Sequence, residues 1–193
     1  MPSAGGLPIF ISFVISTLFL FRKIIPQSYI VPILIASLVI IVTGVLDDKY
    51  ELTPKQKSIG ILIASLIIYF VADIRIDSFT LPFIGYIQLG WLSFPVTIFW
   101  IFGITNAVNL IDGLDGLAAG ISLIGLITIG IIGYFFLHAS TVYIPVVIFC
   151  LVASIIGFFP YNFYPAKIYL GDTGALFLGF MMAVLSLQGL KNV

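Results

Sequence analysis

Long unbroken apolar runs constrain this chain more than any other feature. Seven segments, Leu7–Phe21, Ile30–Leu46, Ser58–Val71, Trp91–Thr105, Leu117–Leu137, Val142–Phe159 and Ala175–Leu190, consume most of the 193 residues. Each is near the ~20 residues a bilayer-spanning helix needs, the first and third being short. A backbone in hydrocarbon must satisfy its own hydrogen bonds, so only helices and closed barrels cross a membrane. Barrel strands alternate apolar and polar residues, and these runs do not. With 61% hydrophobic and 8% charged residues, the chain fits neither a soluble domain nor a disordered one. The expectation is an all-α polytopic membrane protein of about seven transmembrane helices, forming one integral membrane domain over residues 1–193.

Eight Lys and Arg balance eight Asp and Glu, leaving no basic excess to bind nucleic acid. The single cysteine, Cys150, lies inside an apolar run. It excludes a disulfide framework and reads as a small buried hydrophobe. Residues Asp73–Gly90 depart from the helical pattern. Two alternating runs flank Pro82 and Gly85, which predicts a small β-hairpin or an interfacial loop near 73–90.

Alternating the spans assigns the loops to two faces. Lys49, Lys55, Lys57 and Lys167 share the face of Met1, while Arg22, Lys23, Arg75 and Lys191 take the other. The positive-inside rule is therefore tied. The acids are not tied. Asp47, Asp48, Glu51, Asp112, Asp115 and Asp172 lie on the first face, against Asp73 and Asp77 on the second. Acids contribute little to orientation, so this asymmetry points to chemistry.

Three motifs build that carboxylate cluster. Asp47 and Asp48 close the second span, where the helix dipole and their mutual repulsion disfavour them. Lys or Arg would end the helix with less repulsion. The pair reads as a hard-cation site or a general base. Thr53 and Pro54 then predict a capped helix start, placing Lys55 and Lys57 at the headgroup level as interfacial anchors or as charges for a phosphate. In the second motif Asn106, Asn109, Asp112 and Asp115 recur every third residue. A continuous helix would turn Asn106 and Asp115 to opposite faces, and Gly113 and Gly116 allow a break that turns the set inward. Amides and carboxylates in this order suit a polar ligand. The third motif is Asn162 followed by Pro165 to Ala175. There Asp172, between Gly171 and Gly174, serves either to cap the next helix with Thr173 or to hold a metal. The one histidine, His138, falls on the opposite face and reads as a loop residue.

In order and spacing, Asp47-Asp48, the Asn106–Leu117 stretch and Lys167–Ala175 resemble the polyprenyl-phosphate N-acetylhexosamine-1-phosphate transferases of glycosyltransferase family 4. Pro2-Ser3-Ala4-Gly5-Gly6 is similar to their cytoplasmic Pro-x-x-Gly-Gly loop. The run Asn109-Leu110-Ile111-Asp112 leans toward the branch that transfers N-acetylglucosamine 1-phosphate and initiates teichoic acid synthesis. The lipid I synthases (phospho-MurNAc-pentapeptide transferases) are the alternative, and a transporter-like protein is the main non-enzyme reading.

The resemblance implies a multi-pass protein of the bacterial plasma membrane with a cytoplasmic active face. It implies transfer of a sugar phosphate from UDP-N-acetylglucosamine to undecaprenyl phosphate with release of UMP, dependent on Mg²⁺ with Mn²⁺ as an alternative, and it leaves room for a homodimer. Asp172 is the first expected metal ligand, with Asp112 beside it. Asp47 would lie nearest the lipid phosphate, with Asp48 supporting either role. Asn106, Asn109, Asp112, Asp115 and Asn162 would hold the nucleotide sugar, and Lys57 a phosphate. Family chains carry a helix before the Pro-x-x-Gly-Gly loop and a His-rich loop with further helices downstream, so the chain is expected to be a part of that architecture.

Overall fold

Hydropathic runs become helices, and the structure, a computed structural model, describes residues 5–81, 85–136 and 141–189. The described helices are α1 (Gly6–Ile15, continued by a π-helical turn over Ser16–Leu20), α2 (Gln27–Tyr50), α3 (Pro54–Phe70), α4 (Ser93–Ile111), α5 (Leu117–Phe136), α6 (Tyr143–Asn162) and α7 (Gly171–Gly189). Five of these regions are long and apolar enough to cross a membrane: α2, α4 with the turn before it, α5, α6 and α7. The α1 region is shorter, and α3 has 17 residues. These are the two segments whose apolar runs are short in the sequence.

Boundaries shift where the sequence showed only hydropathy. Helix α2 runs on through Asp47 and Asp48 to Tyr50 and ends at Glu51 in the left-handed region (φ 49°). Helix α4 continues past Asn106 and Asn109 to Ile111. The start of α3 is as expected: Pro54 takes the first helical position, and Gln56 Oε1 accepts the Thr53 N–H and hydroxyl, each at 2.9 Å. The expected hairpin forms too. Strand β1 (Ser78–Leu81) pairs antiparallel with β2 (Gly85–Gln88), Ser78 opposite Gln88 and Leu81 opposite Gly85. Pro82 and His138 lie outside the described residues.

Helix α7 is the axis of the fold. It is apolar all round, as a helix buried on every side must be, and Ala175, Leu176, Phe177, Leu178, Phe180 and Met181 are fully buried. Helices α1, α2, α4, α5 and α6 all pack on it, while α3 packs on α2 and α4. The outer faces carry exposed Ile35, Phe99, Ile124 and Ile156. In water these would form an unfavourable apolar patch; in a bilayer they meet lipid. Close approach at the axis requires small residues. A Cβ at Gly44 of α2 would overlap Thr173 of α7, and one at Gly6 of α1 would overlap Gly174. Both crossings lie at the start of α7, so three helices are locked together at one end of the bundle.

Candidate active site

The last turn of α2 delivers Asp47 and Asp48 to that end. Asp47 Oδ1 accepts the Leu52 N–H at 2.9 Å, and Oδ2 is ion-paired with Lys57 Nζ. The Asp47 side chain is only 3% exposed. The same Nζ lies 3.0 Å from Asp172 Oδ1. One ammonium near the start of α3 therefore bridges carboxylates from α2 and α7, far apart in sequence.

Asp48 turns to α7 instead. It accepts the Asp172 N–H at 2.9 Å, the Thr173 N–H at 3.1 Å and the Thr173 hydroxyl at 2.5 Å. The first amides of a helix have no partner within it, and here a neighbouring helix supplies one. This corrects the expectation that Asp172 or Thr173 caps α7. Both lie inside its first turn, and the cap comes from α2. It also explains two adjacent acids at a helix C-terminus. Repulsion there is offset by Lys57 on one carboxylate and by the positive end of α7 on the other.

The repeating Asn/Asp series divides. Helix α4 ends at Ile111 and Asp112 leaves it with φ −73° and ψ 55°, followed by Gly116 at φ 74°, a conformation glycine adopts without strain. Asn109, Asp112 and Asp115 thereby line one cavity of about 510 Å³, together with Asp48, Asn162 and Asp172. Asn106 is not brought there. It sits one turn back inside α4, and its amide donates to Phe102 O at 2.8 Å. Asp47 and Lys57 stand behind the cavity wall, in contact with it through Asp172.

Two of the lining residues tie loops together. Asp115 Oδ2 accepts the Ala166 N–H at 2.9 Å, and Asn162 Nδ2 donates to Ile168 O at 3.0 Å. Gly5 N–H donates to Tyr169 O at 3.1 Å, which brings the glycines of the first loop to the same end. Gly113, Leu114, Tyr169 and Leu170 also line the cavity. Sequence reasoning read Gly113 only as a place for the helix to break and gave Leu114, Tyr169 and Leu170 no role. The one signal for Tyr169 is its place in the Lys167–Ala175 stretch.

Four aspartates, Asp48, Asp112, Asp115 and Asp172, line this cavity, and among the described residues no Lys or Arg does. Burial, with the charges of Asp172 and Asp48 close by, pushes the Asp112 carboxyl up to about 6. Among the described residues Asp112 accepts no hydrogen bond, Asp172 Oδ2 is unbonded, and Asn109 Oδ1 is buried without a partner. Among these residues no group of three His, Cys, Asp or Glu side chains makes a full protein cage for a metal. The open oxygens instead fit a hard cation that takes one or two carboxylates and completes its shell with water and substrate oxygens.

A membrane helix bundle with an acidic cavity at one end defines the class of protein only broadly; its sequence relatives define it further. Residues 30–190 match the model of glycosyl transferase family 4, and the chain belongs to that family. It is 46% identical over 191 residues to the probable undecaprenyl-phosphate N-acetylglucosaminyl 1-phosphate transferase of Bacillus subtilis (strain 168), an alignment covering 98% of this chain and 52% of that one. It is 40% identical over 164 residues to a phospho-N-acetylmuramoyl-pentapeptide-transferase of Streptococcus agalactiae serotype Ia, covering 79% and 48%. A protein of the same name from Staphylococcus epidermidis (strain ATCC 12228) is 33% identical over 203 residues, covering 97% and 62%. The chain spans about half the length of the first two of these relatives.

Proposed function

We propose that the protein transfers N-acetylglucosamine 1-phosphate from UDP-N-acetylglucosamine to undecaprenyl phosphate, releasing UMP, at the cytoplasmic face of a bacterial plasma membrane. The observation that carries this reading is the meeting of Asp47, Asp48, Lys57, Asp112, Asp115 and Asp172 at one end of the bundle. Acids placed at the ends of spans suit a lipid phosphate at the headgroup level. A transporter would carry polar groups near the midplane. The higher identity to the N-acetylglucosaminyl relative favours that sugar over the pentapeptide-bearing one.

In this reaction an oxygen of the lipid phosphate attacks the β-phosphorus of the nucleotide sugar. The bond from that phosphorus to the bridging oxygen breaks, and UMP departs with the electron pair. The lipid phosphate is largely dianionic near neutrality, its second pKa being about 6, so proton removal is a minor requirement. Neutralising charge is the major one. A cavity walled by carboxylates repels a pyrophosphate, so Asp112 and Asp172 would hold a divalent cation, Mg²⁺ or Mn²⁺, that supplies this neutralisation when bound. Asn109 Oδ1 offers a neutral acceptor to the sugar nucleotide. Lys57 holds Asp172 in place and adds a positive charge behind it, and Asp47 fixes the lysine. Asp115 and Asn162 shape the wall by holding the 163–170 loop.

The test is UMP release by the full-length gene product in detergent. UDP-N-acetylglucosamine with undecaprenyl phosphate is expected to give UMP and the lipid diphospho-sugar, and UDP-MurNAc-pentapeptide to give neither. Turnover of the pentapeptide substrate alone would move the protein to the lipid I synthases. No UMP from either donor would defeat the transferase reading.

A further inference from the structure

We infer that Asp48 is a positioning residue, not a group that touches substrate: it sets the place of Asp172 by capping α7 from a neighbouring helix. The inference rests on the transferase reading only for its kinetic consequences. Both Asp48 oxygens are committed. Oδ1 takes the Asp172 N–H, and Oδ2 takes the Thr173 N–H and hydroxyl. A carboxylate holding three donors in this way has little capacity left to accept a substrate proton or to act as a nucleophile. The adjacent Asp47 accepts no hydrogen bond from α7's backbone among the described residues; its oxygens go to Leu52 and Lys57. Two neighbouring acids thus do different work.

The geometry that makes this happen is local to α2. Gly44 and Asp48 are four residues apart and share a helix face. Without a side chain, Gly44 lets Thr173 approach so closely that a Cβ would overlap it. One turn later Asp48 reaches the free amides of the same α7 turn. Asp172 is consequently held at two points, its backbone by Asp48 and its carboxylate by Lys57. The remaining Oδ2 is aimed by these two anchors. The capped amides are also taken out of use as a phosphate cradle, because a protein carboxylate already occupies the N-terminus of α7.

Full-length protein carrying Asp48→Asn, Thr173→Val, Thr173→Ser and the Asp48→Asn/Thr173→Val pair tests this. An asparagine offers one acceptor oxygen and turns an N–H₂ toward a donor, so α7's first turn loosens. Hydrogen exchange of the peptide spanning 171–175 is expected to quicken roughly tenfold in Asp48→Asn, with the rest of α7 unchanged. This readout needs no catalysis. In turnover, kcat is expected to fall about 10- to 100-fold, the loss of one or two charge-assisted hydrogen bonds, while both limbs of the kcat/KM pH profile stay. Thr173→Ser keeps the hydroxyl donor and is expected to restore most of what Thr173→Val loses. In the pair, the valine is expected to add less than about twofold to the asparagine, since both act through one contact.

Loss of a pH limb in Asp48→Asn, multiplying effects in the pair, or unchanged exchange over 171–175 would each overturn the inference. A wild-type protein that releases no UMP would sink the transferase reading but leave the exchange result to decide the role of Asp48.

Discussion

The two ends of the bundle handle a basic side chain in opposite ways. Near the hairpin, Arg75 pairs with Asp77 at 2.9 Å and Asp73 at 3.4 Å, both two residues away, in exposed surroundings. Those two carboxylates hold its guanidinium above its ordinary pKa. At the other end Lys57 pairs with Asp47 and Asp172, the second 115 residues distant, and keeps only 22% of its side chain exposed. The first cluster needs only a turn of chain. The second exists only if α2, α3 and α7 are correctly assembled. Ion pairs that depend on the whole fold and lie against a cavity are where function is expected; local exposed pairs contribute little.

The largest effect that would sharpen this contrast is Lys57→Met in the full-length protein. It leaves two carboxylates facing each other without a cation, one of them buried, and is expected to cost about 3 kcal/mol of stability and to abolish transfer. Adding Asp47→Asn should recover part of the stability by removing the unpaired charge. A melting temperature unmoved by Lys57→Met would equate the two ends and contradict the comparison.

Next comes the packing that assembles the cluster. Gly44→Ala drives a Cβ into Thr173 and is expected to destabilise by roughly 1–3 kcal/mol. Gly103→Ala in α4, where a Cβ would meet nothing within 4 Å, is expected to be neutral or slightly stabilising because alanine favours the helix. Equal melting temperatures for the two would mean that α2 and α7 do not cross as closely as described.

A smaller effect belongs to Asp112. Its carboxyl titrates near 6 in the folded protein, against about 3.9 when unfolded. The folded state thus binds more protons across that interval, and stability falls as pH rises from about 4 through 6. Asp112→Asn removes the buried charge, so in chelator-treated protein it should raise the melting temperature at pH 8 and not at pH 4. A gain of the same size at both values would show that burial does not disfavour the charged form. The smallest effect is Arg75→Met, for which no change in melting temperature or transfer is expected.

Much of this contrast was legible in the sequence, and the illegible part has a physical reason. The Thr53-Pro54 helix start and the 73–90 hairpin depend on residues a few positions apart, and each appears as read; the gathering of acids at one end follows from counting apolar runs along the whole chain. The spacing of Asn106, Asn109, Asp112 and Asp115, with glycines to break the helix, predicts all four at one site; Asn106 is instead held inside α4 by its bond to Phe102 O, because the break comes only after Ile111. The separate duties of Asp47 and Asp48 were not legible. They follow from where α2 crosses α7, which is set by Gly44 against Thr173, residues that no local pattern connects. The same holds for Lys57, whose spacing allowed an anchor or a phosphate contact but did not show it bridging two acids.

On the proposed function, the assembled acidic end, and not the local pairs at the other, performs the transfer. Lipid-dependent UMP release by full-length Asp172→Asn and Asp77→Asn, measured beside the wild type, tests it most directly. Asp172→Asn is expected to lose at least a hundredfold, about 2.7 kcal/mol of stabilisation, and Asp77→Asn to keep wild-type rates. Wild-type rates in Asp172→Asn, or equal losses in both variants, would contradict it.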